Sequence, residues 1–113
     1  MSPITTHVLD TTHGRPATGV FVRLERLRQG GADLLGEGRT DADGRLRDLL
    51  HADATLSIGP HRLTFDTAAY FEALGVQAFY PTVQITFMVH DPSQHLHVPL
   101  LLSPYGYSTY RGS

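Results

Sequence analysis

Apolar and polar residues alternate along most of the chain, a pattern typical of strands with one buried face. In the stretch 82–90, the apolar residues Val83, Ile85, Phe87 and Val89 occupy every second position. Because successive side chains of a strand point to opposite faces, this spacing predicts a half-buried strand. Similar patterns predict further strands at residues 4–9, 20–25, 61–65, 96–102 and 105–110.

Turn-forming residues separate the predicted strands. Asp43-Gly44 favours a tight turn, because glycine adopts positive φ angles at little cost. Several short strands divided by such turns predict an all-β sandwich. The chain has 113 residues, the length of one domain, so we expect a single domain over residues 1–113. The other predicted breaks are His13-Gly14-Arg15-Pro16, Gln29-Gly30-Gly31, Gly59-Pro60, Tyr80-Pro81, Asp91-Pro92 and Ser103-Pro104.

One segment departs from the strand pattern and predicts a short helix over residues 67–74. Its sequence, Thr-Ala-Ala-Tyr-Phe-Glu-Ala-Leu, contains good helix formers and neither glycine nor proline. Asp66 precedes it and can cap the first turn through its carboxylate. Gly75 follows it and can adopt the left-handed conformation that ends many helices.

The edges of the predicted sandwich and the end of the chain both suggest self-association. Open sheets leave edge strands with unpaired backbone groups, and natural proteins often pair such edges across a subunit interface. The segment 105–113 contains three tyrosines and Arg111, whereas chain ends usually fray and are polar. We therefore expect this tail to be ordered to its last residue and used in an interface or a site.

The composition excludes several classes of site. The chain has no cysteine, which rules out a disulfide framework, a zinc ribbon, a thiol nucleophile and an iron–sulfur cluster. All nine basic residues are arginine and are scattered among eleven acidic residues, giving a formal charge of −2. This balance argues against a nucleic-acid-binding surface. No apolar run approaches the ~20 residues of a membrane span, and no targeting segment is visible, so we expect a cytoplasmic protein.

Seven histidines are an unusual number for this length, and two of them form a pair. His95 and His97 stand two residues apart on a predicted strand, so both side chains point to the same face. With a third ligand, the pair could bind a metal ion; with a base and an oxyanion donor, it could serve hydrolysis. It could equally be two surface histidines on a polar face.

One further motif and two further residues are candidates on weaker grounds. Asp41-Ala-Asp43-Gly44 resembles the start of a calcium loop, but the glycine and the final acidic ligand are not at the required positions. We therefore interpret it as a turn. Arg45 follows this turn and could point into a cleft or into solvent. His7 lies opposite the apolar face of its predicted strand, which leaves it accessible for chemistry or without any role.

These residues fall within motifs of a known family. The chain resembles the 5-hydroxyisourate hydrolases, also called transthyretin-like or transthyretin-related proteins, over nearly its whole length and in the same order. The terminal Tyr-Arg-Gly-Ser is highly specific to that family. The matching segments are His7-Val-Leu-Asp10, Gly14-Arg-Pro-Ala17, Thr40-Asp-Ala-Asp-Gly-Arg45, Phe65-Asp-Thr-Ala-Ala-Tyr-Phe71 and 95–113.

The resemblance implies a fold, an assembly and a reaction. The fold would be the transthyretin-like (prealbumin-like) sandwich of two four-stranded antiparallel sheets with one short helix. The assembly would be a homotetramer, a dimer of dimers, with its sites in a channel at the dimer–dimer interface. The reaction would be hydrolysis of 5-hydroxyisourate to 2-oxo-4-hydroxy-4-carboxy-5-ureidoimidazoline in urate degradation, with no cofactor and no metal.

The resemblance also implies which residues act. The family's first-strand histidine falls on His7, its Asp-Gly-Arg arginine on Arg45, and the second histidine of its His-x-His-Val-Pro motif on His97. These three would be catalytic and would also bind substrate. Its terminal tetrapeptide adds Tyr110 and Ser113 as substrate-binding residues.

Two alternatives remain open beside this hypothesis. One is a small-molecule carrier of the transthyretin type, which would bind a ligand in the interface channel without changing it. The other is a zinc-dependent hydrolase or metal-binding module that uses His7, His95 and His97. In the family-based hypothesis, His95 supports the site or an interface. The remaining four histidines, His13, His51, His61 and His90, are expected to be ordinary.

Overall fold

The computed structural model describes residues 3–51 and 54–112, which form two β-sheets and a single helix. The helix α1 spans Thr67–Ala73. The first sheet contains β1 (Ile4–Asp10), β2 (Arg15–Pro16), β5 (Arg45–Leu46), β8 (Leu96–Ser103) and β9 (Gly106–Thr109). The second sheet contains β3 (Phe21–Arg28), β4 (Gly31–Arg39), β6 (Gly59–Phe65) and β7 (Val83–Val89).

The first sheet is mixed. Its strand order is β2-β1-β8-β9, and β5 also pairs with β1. Strands β1 and β8 run parallel, in a register that opposes Ile4 to Leu96 and Asp10 to Leu102. The fold class is confirmed, but the detail of two four-stranded antiparallel sheets is wrong for this sheet. Two-residue strands are too short to show alternation, and parallel pairing of distant segments leaves no local signal.

The second sheet is antiparallel, in the order β4-β3-β6-β7. Its strand β4 was not predicted, because Gly31, Gly36 and Gly38 interrupt the apolar pattern. Gly36 has a packing reason: a Cβ there would lie 1.7 Å from the carbonyl oxygen of Leu49. The glycine therefore allows the 46–51 segment to cross close to the strand.

The core lies between the two sheets, as the alternating pattern predicts. On β3, Val22 and Leu24 are fully buried while Arg23 between them is exposed. On β1, Ile4, Thr6 and Val8 are buried and His7 is half-buried, which confirms the predicted faces of that strand. Thr6 satisfies its buried hydroxyl by donating to the carbonyl of Val98, at 2.6 Å.

Helix α1 lies where the sequence predicts it, but one of its predicted caps is wrong. In the described chain, the Asp66 carboxylate makes no capping hydrogen bond to the first turn. Instead, the backbone amide of Ala68 donates to the carbonyl of Pro81 at 3.2 Å, so a neighbouring loop satisfies one of the free amides of that turn. The predicted stop is confirmed: Gly75 has φ +74° and its amide donates to Glu72.

A buried carboxylate connects this helix to the first sheet. Asp10 accepts hydrogen bonds from the amides of Thr12 and His13, from the His13 ring at 2.6 Å and from the Tyr70 hydroxyl at 2.7 Å. Burial favours a raised pKa for Asp10, but these hydrogen bonds outweigh it and hold the pKa below the usual value. Burial, together with Asp10, raises the pKa of Tyr70 to about 12, so its hydroxyl remains a donor.

His61 is a buried histidine of the second sheet and predicts a dependence of stability on pH. Its Nδ1 donates to the carbonyl of Gly59 at 2.9 Å and its ring stacks on Phe87, whereas its Nε2 has no hydrogen-bond partner among the described residues. Burial is the main cause that lowers the pKa of His61, and the nearby charge of Arg26 adds to it. The folded protein therefore resists protonation of this ring.

The free energy of unfolding should fall as the pH drops below the usual histidine pKa of about 6.5, because the unfolded chain then binds a proton that folded His61 excludes. In urea titrations at pH 7.5 and 5.5, His61→Leu should lose less stability than the unmodified protein, by up to about 1 kcal/mol. The control is His90→Leu, which changes an exposed histidine. This variant should lose as much unfolding free energy between pH 7.5 and 5.5 as the unmodified protein. Equal losses in His61→Leu and His90→Leu would contradict the prediction.

Among residues 3–51 and 54–112, no helix has the length and apolar character needed to cross a membrane.

Candidate active site

Three of the predicted site residues meet on the first sheet, although they come from distant parts of the chain. His7 lies directly opposite Arg45, because β5 pairs with β1 in that register. His97 lies on β8 opposite Thr5, which is two residues before His7 and on the same face of β1. The structure thus brings His7, Arg45 and His97 to neighbouring positions of one face.

A tight turn positions both His7 and Arg45. The Asp41 carboxylate accepts hydrogen bonds from the amides of Asp43 and Arg45, and Gly44 has φ +76°. The Asp43-Gly44 turn predicted from the sequence is therefore confirmed. The carbonyl of Asp43 lies 2.7 Å from Nε2 of His7. Because a carbonyl can only accept, His7 carries its proton on Nε2 and leaves the lone pair on Nδ1 when the ring is neutral.

His97 is held in a partly buried, positively charged setting. Its Nδ1 lies 2.8 Å from the hydroxyl of Thr5. Burial lowers the pKa of His97 most, followed by the charges of Arg45, His7 and His95. The ring is therefore neutral near pH 7 and can accept a proton, which is the state that a general base requires.

The tail of the chain packs against His97. The amide of Gly112 donates to the carbonyl of His97 at 2.8 Å, and the two residues form a β-bridge. A Cβ on Gly112 would lie only 2.7 Å from Cδ2 of the His97 ring. Tyr110, with 59% of its surface exposed, lines a cleft of about 260 Å³ together with His97 and Arg111. Ser113, the other predicted substrate-binding residue of the tail, lies outside the described residues.

The remaining histidines divide by position. The His95 ring contacts the same Thr5 hydroxyl as His97, at 3.1 Å, which confirms that the pair shares a face. His13 bonds to Asp10, and His61 is in the core. His51 and His90 are exposed.

Sequence reasoning missed Thr5 and the carbonyl of Asp43, and it included Gly112 in the terminal motif without its contact to His97. All three touch a site histidine. The spacing of Thr5 two residues before His7 was the only local signal for any of them. For the zinc alternative, the described part of the chain has no group of three or more His, Cys, Asp or Glu side chains that could hold a metal ion. The zinc alternative therefore gains no support from the geometry.

The fold and the cluster define a class of protein: a transthyretin-like sandwich with neighbouring histidine and arginine side chains on the outer face of one sheet. Comparison with known proteins agrees with this class. The model of the HIUase/Transthyretin family matches residues 4–112, and the chain belongs to this family.

Three relatives illustrate the likeness. The chain is 50% identical to a 5-hydroxyisourate hydrolase of Caulobacter vibrioides, with all of both chains aligned. The structure of Klebsiella pneumoniae 5-hydroxyisourate hydrolase matches with a TM-score of 0.82 and 40% identity, covering 97% of this chain and 98% of that one. Sea bream transthyretin in complex with thyroxine matches with a TM-score of 0.89 and 31% identity, covering 98% and 95% of the two chains.

The contact between Gly112 and His97 predicts that Gly112→Ala impairs the site without unfolding the protein. The added methyl group would force the tail or the imidazole to move, since real Cβ atoms do not approach other atoms to 2.7 Å. A displacement of about 1 Å at a catalytic group can cost up to about 100-fold in rate. We expect turnover of the substrate proposed below to fall by about 10- to 100-fold, measured by ultraviolet absorbance.

Gly106→Ala is the matched control for this change. Gly106 also lies in the C-terminal segment, and a Cβ there would meet only the Ser103 hydroxyl, at an ordinary 3.7 Å. Its turnover and thermal unfolding should equal those of the unmodified protein. Unchanged turnover in Gly112→Ala would mean that the tail does not hold the His97 ring.

Proposed function

We propose that the protein hydrolyses 5-hydroxyisourate to 2-oxo-4-hydroxy-4-carboxy-5-ureidoimidazoline, a step of urate degradation. The observation that carries this proposal is the convergence of His7, Arg45 and His97 on one face of the first sheet. Its second support is the likeness to relatives that bear the name 5-hydroxyisourate hydrolase, at 50% identity in one case and 45% in that of Mus musculus.

The histidines supply the proton transfers of the reaction. His7 and His97 position a water molecule and remove one of its protons, because each neutral ring can present an unprotonated nitrogen to the site. The resulting hydroxide attacks the ring carbonyl and forms a tetrahedral oxyanion. When the carbon–nitrogen bond breaks, the imidazolium returns the proton to the leaving nitrogen and the six-membered ring opens. Water is thereby added across one bond and no cofactor is consumed.

Arg45 supplies charge and orientation. Its guanidinium is always protonated and offers a planar fork of donors, which suits the oxygens of a planar, anionic purine-like ring. Arg45 lies opposite His7 in the pairing of β5 with β1, and in this proposal its fixed positive charge stabilises the oxyanion more than the substrate. Arg45 thus orients the substrate and stabilises the transition state.

The assembly that we propose is a homotetramer, a dimer of dimers, with the site in a channel between dimers. The supporting features are the edge positions of β7 and β9 and the exposed side chains of Met88, Tyr107 and Tyr110. In this assembly, Tyr110 and Ser113 close the site around the substrate. Sedimentation equilibrium should give four times the 12.4 kDa chain mass. A monomer at all concentrations would contradict the assembly without bearing on the hydrolysis.

The decay of freshly made 5-hydroxyisourate, followed by ultraviolet absorbance, tests the function. Catalytic amounts of protein should accelerate it many-fold, and the acceleration should persist in a chelator because we propose no metal. The carrier alternative rests on the likeness to transthyretin and predicts reversible ligand binding without acceleration. Decay at the uncatalysed rate would contradict the proposed hydrolysis. The cytoplasmic location stays a prediction, which cell fractionation would test.

A further inference from the structure

A single hydroxyl group lies between two imidazole rings beside the proposed site. The Oγ1 atom of Thr5 is 2.8 Å from Nδ1 of His97 and 3.1 Å from Nε2 of His95. Thr5 is only 4% exposed although it faces away from the core, because the two rings lie next to it. Neither Thr5 nor His95 has a part in the proton transfers described above.

The hydroxyl has one proton, so it cannot donate to both rings. If Thr5 donates to Nε2 of His95, it accepts from Nδ1–H of His97, and the lone pair of His97 is then on Nε2. If Thr5 donates to Nδ1 of His97 instead, the proton of His97 is on Nε2 and that nitrogen is no base. The choice of acceptor by Thr5 therefore decides whether neutral His97 can remove a proton through Nε2.

The surroundings favour donation to His95. His95 is exposed, so its other nitrogen, Nδ1, can keep its proton and remain hydrated while Nε2 accepts from Thr5. His97 is held between Arg45, His7 and Gly112, and its ring orientation is restricted on the Cδ2 side. The 2.8 Å separation lies within the range of an N–H···O hydrogen bond, so Nδ1–H of His97 can donate to the Thr5 oxygen in this arrangement.

We propose that Thr5, with His95 as the acceptor of its proton, is a positioning residue that holds His97 in the Nδ1–H tautomer and so makes Nε2 the base of the reaction. This inference rests on the proposed hydrolysis for its catalytic meaning, but the tautomer itself is a property of the protein alone. In enzymes where a neighbouring group fixes the tautomer of a histidine, loss of that group reduces the rate strongly.

Nitrogen-15 NMR of the histidine rings at pH 8 measures the tautomer directly. In the unmodified protein, Nδ1 of His97 should give the shift of a protonated nitrogen and Nε2 that of an unprotonated one. In Thr5→Val, which keeps the branched shape of the side chain, the two shifts should move toward the Nε2–H form. His97→Asn identifies the resonances by their disappearance.

Kinetics separate tautomer control from a merely structural role. Thr5→Val should lower kcat by about 10- to 100-fold with little change in KM, a range typical for partners that orient a functional histidine. Thr5→Ser keeps the hydroxyl and should restore most of kcat. His95→Phe removes the ring nitrogen that accepts the Thr5 proton, and it should also shift His97 toward the Nε2–H tautomer. His90 is likewise exposed, and the control His90→Phe should leave the His97 tautomer unchanged.

Two NMR results would overturn the inference whatever the activity. One is an Nε2–H form of His97 in the unmodified protein, and the other is identical His97 spectra in Thr5→Val and the unmodified protein. If the unmodified protein does not accelerate the decay of 5-hydroxyisourate, the hydrolysis fails while the NMR result on the tautomer still stands. A Thr5→Ser variant as slow as Thr5→Val, with an intact fold, would also overturn the role of the hydroxyl.

Discussion

Replacing His97 or His7 with asparagine should lower the turnover of 5-hydroxyisourate by about 10²–10⁴-fold, the usual contribution of a general acid–base group. Asparagine is close in size to part of the ring and can preserve a hydrogen bond, but it cannot exchange a proton at neutral pH. The loss should appear mainly in kcat, because both histidines act on the water and Arg45 retains the substrate contacts. Initial rates of ultraviolet decay over a range of substrate concentrations give kcat and KM separately.

Two controls make this experiment decisive. His51→Asn changes an exposed histidine and should keep the full rate. Sedimentation and circular dichroism should show that the His7 and His97 variants keep the assembly and fold of the unmodified protein. Full turnover in both His7→Asn and His97→Asn would contradict the assignment of these two residues. Full turnover in only one variant would assign the role of base to the other histidine.

The second large effect is expected on stability. Asp10→Asn should reduce the free energy of unfolding by about 3 kcal/mol at pH 7. The Asp10 carboxylate accepts four hydrogen bonds from Thr12, His13 and Tyr70 in a buried position. An asparagine side chain has one carbonyl oxygen, and its amide end would face donors, so at least one buried donor would lose its partner.

Urea unfolding followed by circular dichroism measures this loss. Asp33→Asn is the control, since Asp33 also pairs with a basic residue, Arg28, but both side chains are more than half exposed. Exposed ion pairs contribute between about 0 and 1 kcal/mol, so this variant should remain close to the unmodified protein. Similar stabilities of the two variants would mean that the Asp10 network does not hold α1 to the first sheet.

The elements that the sequence predicts well are those with a local cause. The alternation in 82–90 corresponds to β7, and the helix predicted over 67–74 corresponds to α1 with Leu74 at its cap. In both elements, residues close together in the sequence decide the conformation through side-chain spacing and backbone preference. Strand β4 escaped prediction because its glycines break the apolar pattern. Gly36 allows the close approach of Leu49, and a sequence does not reveal that this distant residue packs there.

The same division applies to the site. The pattern of residues offered His7, Arg45 and the His95–His97 pair as candidates with other roles left open. Only the motifs of a family singled out His7, Arg45, His97, Tyr110 and Ser113 and gave them roles. The structure brings the first three together, gives Tyr110 a position on the cleft beside His97, and leaves Ser113 outside the described residues. Their catalytic and binding roles stay predictions until the variants above are measured.

By itself, the sequence determined the all-β class, the faces of most strands, the Asp43-Gly44 turn and the family motifs, because these depend on short-range periodicity and on residue identity. Only the tertiary structure decided which groups meet. Thr5 and Thr6 are adjacent and chemically identical, yet one bonds to the carbonyl of Val98 in the core and the other lies between two imidazoles. That difference follows from the parallel pairing of β1 with a strand about ninety residues away, whose register depends on long-range packing.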